Sequence, residues 1–238
     1  MKTDVLAFGP HPDDVEMGCG GLLFKLKKAG YKTGIIDLTM GELSSNGNIE
    51  TRIKETRAAS EILKIDVREN LNLADGNIVN DMENRNKIIE ILRRYKPKMV
   101  LFPYYKDRHP DHENAHKLIK ESIFISGLVK YQTSLDFFRP DIVINYMLHF
   151  EFIPTFIVDI SDEFEKKVEA VTAYGSQFFS TVEKDVVTHI STKSFNDILH
   201  TRAKYFGLKI NSSAGEAYFI NSRIKINDPL LFFNYVKY

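Results

Sequence analysis

The chain has one cysteine, Cys19, no tryptophan, and no net charge, with 32 basic residues balancing 32 acidic ones among 238. A single thiol cannot close an intramolecular disulfide, so nothing marks an oxidising compartment or a disulfide-stapled scaffold. The charge balance leaves no basic excess to hold nucleic acid or an anionic membrane surface. No window approaches the ~18 consecutive apolar residues of a membrane span. The apolar run at residues 5–9 is too short for a secretory leader, and Asp4 interrupts it. These absences predict a cytoplasmic protein that engages neither nucleic acid nor membrane. No repeat, low-complexity stretch or linker divides the chain, which predicts one domain over residues 1–238.

What is present is an alternation of apolar strands and amphipathic helices. "VLAFG" (5–9), "KTGIIDLT" (32–39), "ENLNL" (69–73) and "KMVLFPY" (98–104) read as strands. Residues 15–30, 50–65 and 80–97 between them read as helices, stopped by Gly30 in the first case and Pro97 in the last. This order predicts right-handed βαβ units and a mainly parallel, Rossmann-like sheet flanked by helices. Further on, residues 111–128 and 162–175 read as helices, and 141–148 and 155–161 as strands. The last ~30 residues mix strand and loop, with boundaries good to a few residues. Aromatic-rich stretches at 137–138, 150–156 and 232–238 suit core or subunit interface.

In such a sheet, ligands bind beyond the carboxyl ends of the strands where the strand order reverses. If strand four lies on the far side of strand one, the segments "PHPDD" (10–14) and "YYKDRHPDH" (104–112) face each other. His11 and Asp14, with His112 or His109, would then converge on one divalent ion. Two imidazoles and a carboxylate leave a coordination position open, as catalytic zinc sites do; the same donors suit iron(II). Asp13 stays free beside the ion as a natural general base. A dinucleotide site fits poorly. Gly9, Gly18, Gly20 and Gly21 do not make G-x-G-x-x-G, and paired aspartates would repel a pyrophosphate. "HENAH" (112–116) matches H-E-x-x-H, so a zinc peptidase using His112, Glu113 and His116 is a rival reading. A metal-free sugar-binding module is the non-enzymatic one. The other histidines, His149 and His189 among them, read as packing or exposed residues, with "NYMLHF" (145–150) as an alternative lining of the crevice mouth through Tyr146 or His149.

"GPHPDDVEMGCGG", "LTMGELSSNGN" and "FPYYKDRHPDH" resemble the zinc-dependent sugar N-deacetylases of the PIG-L or LmbE-like family. They resemble most the bacterial branch that deacetylates N-acetylglucosaminyl malate in bacillithiol synthesis. "DIVINYML", "FIVDIS", "AYGSQF", "GEAYFI" and "PLLFF" extend the likeness along the chain. Pro10 replaces a common Ala or Gly, and Glu16 stands one step later than in most members. The resemblance implies a Rossmann-like fold and zinc held by His11, Asp14 and His112. It implies Asp13 as general base, His109 at the oxyanion or leaving amine, and Asp111 orienting and charging His109. It also implies a homo-oligomer, with a hexamer among the sizes. A sugar bearing a dicarboxylate would suit Glu42 and Ser44 for hydroxyls and Arg52 and Arg108 for carboxylates. Free N-acetylglucosamine or a chitooligosaccharide is the alternative substrate.

Overall fold

The computed structural model describes residues 2–178 and 186–228. Strands β1 (Val5–Gly9), β2 (Thr33–Thr39), β3 (Val67–Leu73) and β4 (Met99–Pro103) alternate with helices α1 (Asp14–Lys28), α2 (Ile49–Ile62) and α3 (Met82–Tyr95). Then come α4 (Pro110–Ser126), β5 (Ile142–Tyr146), β6 (Phe156–Asp159), α5 (Phe164–Thr172), α6 (Lys193–Leu208) and β7 (Gly215–Phe219). The sheet order is β3-β2-β1-β4-β5-β7-β6. β1, β2, β3, β4 and β5 pair in parallel, and β7 runs antiparallel to both its neighbours.

β1 is buried on both faces, which is why it reads as an unbroken apolar run. Leu6 and Phe8 pack with Ile88, Leu92, Leu118 and Ile119 of α3 and α4. Val5 and Ala7 face the opposite layer, where Val15, Cys19, Leu22 and Leu23 of α1 lie. α2 and α5 join α1 there through Leu63, Phe24 and Val171. α2 and α3 start on side-chain caps. Asn48 accepts from Thr51 N–H at 2.8 Å, and Asp81 accepts from Asn84 N–H at 2.9 Å. Pro110 opens α4 at a position where its missing N–H is no loss.

Three features depart from the sequence reading. α1 is broken at Cys19 (φ −146°, ψ 20°). The buried Glu216 carboxylate accepts from Gly21 N–H at 2.9 Å and Leu22 N–H at 2.8 Å, capping the second half of the helix. The glycines of "MGCGG" serve packing. A Cβ on Gly18 would lie 2.2 Å from the Tyr146 ring, whose hydroxyl donates to Phe8 C=O at 2.7 Å. α6 has no counterpart in the sequence reading, although Thr192 caps it by accepting from Phe195 N–H and Phe195, Leu199, Ala203 and Phe206 give a helical stripe. "PLLFF" and the stretch 232–238 lie outside the described residues.

Candidate active site

Because β2 and β3 lie on one side of β1 and β4 on the other, the strand order reverses between β1 and β4. The loops after both strands meet there at the carboxyl edge. They line a cleft of about 460 Å³ whose walls include His11, Asp13, Asp14, His109 and His112. Donor atoms of His11, Asp14 and His112 lie within 4.8 Å of one another. Oδ2 of Asp14 is their meeting point: it accepts from His11 N–H at 2.9 Å, and stands 3.2 Å from His11 Nδ1 and 3.4 Å from His112 Nε2.

The outward nitrogens of both imidazoles rest on carboxylates. His11 Nε2 is 3.0 Å from Asp75 and 3.3 Å from Asp111. His112 Nδ1 is 3.0 Å from Asp107 Oδ1, off the hydrogen-bond line. Such backing fixes tautomer and ring orientation in metal-binding histidines, so the residues present fit a divalent cation. Burial disfavours charge on His112, but Asp14 and Asp107 outweigh it and raise its pKa to about 9. Burial likewise opposes charge on His11, yet Asp111, Asp14 and Asp75 raise its pKa well above the ordinary value.

Asp13 caps α1 with φ 127°, a conformation that side-chain-bearing residues rarely adopt. Its carboxylate makes no capping bond and accepts from Arg52 Nη1 at 3.0 Å. Burial pushes its pKa up to about 7; Arg52 pulls it down, and Asp14 pushes it up.

The remaining candidates sort by geometry. Arg52 is buried and turned inward, donating to Asp13, to Pro12 C=O at 2.5 Å and to Ser44 Oγ at 2.7 Å. Its guanidinium holds the loop that carries Asp13, with Ser44 at the far end of that brace, and both residues also line the cleft where a substrate-binding role was expected of them. Glu42 is outside the cleft lining and accepts from Asp75 N–H at 2.8 Å, pinning the loop that backs His11. Arg108 is exposed at the cleft, with no ion pair among the described residues. Asp111 holds the His109 ring through its backbone, and its carboxylate goes elsewhere. Its carboxylate accepts from Gly76 N–H at 2.7 Å and Ile78 N–H at 3.1 Å and contacts His11, while its backbone N–H donates to His109 Nδ1 at 3.2 Å. Burial and the charges of His11 and His112 lower the His109 pKa, against a smaller pull from Asp14 and Asp111. Because Nδ1 accepts from the Asp111 N–H, the ring proton lies on Nε2. The peptidase reading fails on geometry: His112 faces Asp14, whereas His116 Nδ1 bonds Pro103 C=O at 2.9 Å at the end of β4, and Glu113 accepts from Asp107 N–H.

Sequence reasoning passes over Asp75 and Asp107, and reads His149 as packing or exposed with the crevice mouth as its alternative; the structure places it in the cleft lining. Asp75 follows β3 at the same carboxyl edge, and Asp107 lies two residues before His109. Applying the edge rule to every strand would have reached both.

A two-histidine, one-carboxylate set with a spare buried carboxylate suits a metal-assisted hydrolase. Comparison with known proteins narrows the class. Residues 6–123 match the PIG-L family, described as GlcNAc-PI de-N-acetylase. The chain is 31% identical over 186 residues to diacetylchitobiose deacetylase of Thermococcus kodakarensis, covering 73% of this chain and 70% of the relative. The structure of a conserved protein, TT1542, from Thermus thermophilus superposes with a TM-score of 0.87 at 35% identity, over 95% of this chain and 98% of that one. N,N'-diacetylchitobiose deacetylase from Pyrococcus horikoshii superposes at 0.79 with 26% identity, over 96% of this chain and 85% of that one. The chain belongs to the PIG-L family and is an N-deacetylase, a hydrolase of amide bonds.

Proposed function

We propose that this chain removes the acetyl group from a small saccharide bearing N-acetylglucosamine, with N,N'-diacetylchitobiose as its leading substrate. The observation that carries the chemistry is Asp13, buried and strained, with a pKa of about 7, one residue from the Asp14 carboxylate on which His11 and His112 converge. The relatives named as diacetylchitobiose deacetylases support the substrate. They favour it over N-acetylglucosaminyl malate, the substrate first expected.

His11, Asp14 and His112 would hold the cation, zinc or iron(II), which when bound acidifies water and polarises the acetamide carbonyl. Asp13 takes the proton from the attacking water as the new C–O bond forms. Arg52 keeps that carboxylate aimed. His109, its Nδ1 held by the Asp111 N–H, offers Nε2–H to the oxygen that gains charge. Asp13 then returns its proton to the nitrogen as the C–N bond breaks, releasing acetate and the free amine.

One observation favours a second reading. Arg108 stands at the cleft with its guanidinium unengaged among the described residues, which suits a carboxylate on the aglycone. Acetate-release kinetics on N,N'-diacetylchitobiose, N-acetylglucosamine and N-acetylglucosaminyl malate test both. The first reading expects the highest kcat/KM on the disaccharide and little effect of Arg108→Ala. A clear preference for the malate conjugate that Arg108→Ala abolishes would reverse the order.

A further inference from the structure

Asp107 is the carboxylate on which three histidines of the cleft converge. Its Oδ1 accepts from His109 N–H at 3.0 Å and stands 3.0 Å from both His112 Nδ1 and His149 Nδ1. Its Oδ2 accepts from the His149 main-chain N–H at 2.9 Å. The His149 backbone is also braced by Arg202 of α6, which donates to the carbonyls of Leu148 and His149. His149 lines the cleft, and its ring stacks on His112 at 5.4 Å between centroids; His112 in turn stacks on His109 at 4.9 Å.

A carboxylate can only accept, so the neutral His149 ring carries its proton on Nδ1 and a lone pair on Nε2. This nitrogen has no hydrogen-bond partner among the described residues. A ring clamped through its backbone and one nitrogen, with the other nitrogen open at a cleft, is a preorganised acceptor.

We propose that His149 is a specificity-determining residue. Its Nε2 accepts a hydrogen bond from the C3 hydroxyl of the N-acetylglucosamine ring, and Asp107 is the positioning residue that aims it. The inference rests on the deacetylase reading above. The acetamide on C2 must reach the donor set at His112 for attack, and His149 stands one ring beyond His112. Of the two carbons flanking C2, only C3 keeps a free hydroxyl when the sugar is glycosidically linked.

The test uses the metal-loaded enzyme with N,N'-diacetylchitobiose and its analogue lacking the C3 hydroxyl on the reacting ring. For His149→Ala the expected result is a KM about 10-fold higher, the worth of one hydrogen bond. The kcat should stay within about 3-fold, the pattern of lost uniform binding. The wild-type penalty against the deoxy analogue should vanish, and bound metal per chain should be unchanged. Asp107→Asn should share the KM effect and also lose metal faster to a chelator, because His112 loses its backing too. If His149→Ala does not fold, His149→Gln carries the same comparison. A variant that keeps the wild-type KM and the deoxy penalty overturns the inference, as does one that loses its metal. Wild-type enzyme that releases no acetate from any N-acetylglucosamine substrate overturns the deacetylase reading and the inference with it.

Discussion

Asp13 combines two costly features, a left-handed backbone and a buried carboxylate beside Asp14, and Arg52 compensates only in part. Strain of this kind persists where the surrounding structure over-determines it, and it marks functional positions. Asp13→Asn should lower kcat by about 10²–10⁴-fold, the usual contribution of a general base, with metal content unchanged. As the base must be ionised, kcat/KM should rise with pH through an apparent pKa near 7 and fall below it. Arg52→Ala removes the charge that lowers the Asp13 pKa, so the acid limb should move to higher pH. If Arg52 served only the substrate, KM would change and the limb would stay in place. His112, raised to about 9 by its carboxylates, is protonated at neutral pH before metal enters. Metal uptake at about neutral pH should therefore release protons, seen as a calorimetric heat that varies with buffer ionisation enthalpy. The two His-Pro-Asp segments were legible because carboxylates and imidazoles so rarely end buried strands. The direction of the Arg52 guanidinium was not, since a helix-start arginine can face solvent or protein with equal sequence support.

At the scale of elements, α1 carries Asp14 at its start and follows Asp13 directly, so its seating on the sheet sets the site. Gly18 lets Tyr146 of β5 lie against it, and Glu216 of β7 caps it past the break at Cys19. Gly18→Ala puts a methyl group into the Tyr146 ring and should destabilise the fold by about 1–3 kcal/mol, the range for overpacking. Thermal unfolding followed by circular dichroism measures it; an unchanged midpoint would count against this view of the "MGCGG" segment. The β-strands from β1 to β4 were legible from their apolar runs, and the first three helices from their periodicity. The break in α1 was not, because it depends on a carboxylate 195 residues away. α6 carries both signals a helix offers in sequence, the Thr192 cap and the stripe of Phe195, Leu199, Ala203 and Phe206.

For the whole molecule, the sheet order delivers two loops nearly a hundred residues apart to one edge, and this was foreseeable from topology rules alone. The same rules reach the positions of Asp75 and Asp107, but which histidine each carboxylate backs is shown only by the folded chain. Phe150 and Ile153, the latter 90% exposed, are apolar side chains left open to solvent in the segment after β5, and exposed apolar surface of this kind favours self-association. Light scattering should report a multiple of the monomer mass, and a monomer at micromolar concentration would contradict this. No helix among the described residues is long and apolar enough to cross a membrane. The most direct test of the whole account is metal removal. Acetate release from N,N'-diacetylchitobiose should disappear on stripping with a chelator and return with one equivalent of zinc or iron(II). The His112→Ala variant should stay inactive under the same treatment. Turnover that persists in the stripped protein, or in that variant, would contradict the claim that His11, Asp14 and His112 hold the ion on which hydrolysis depends.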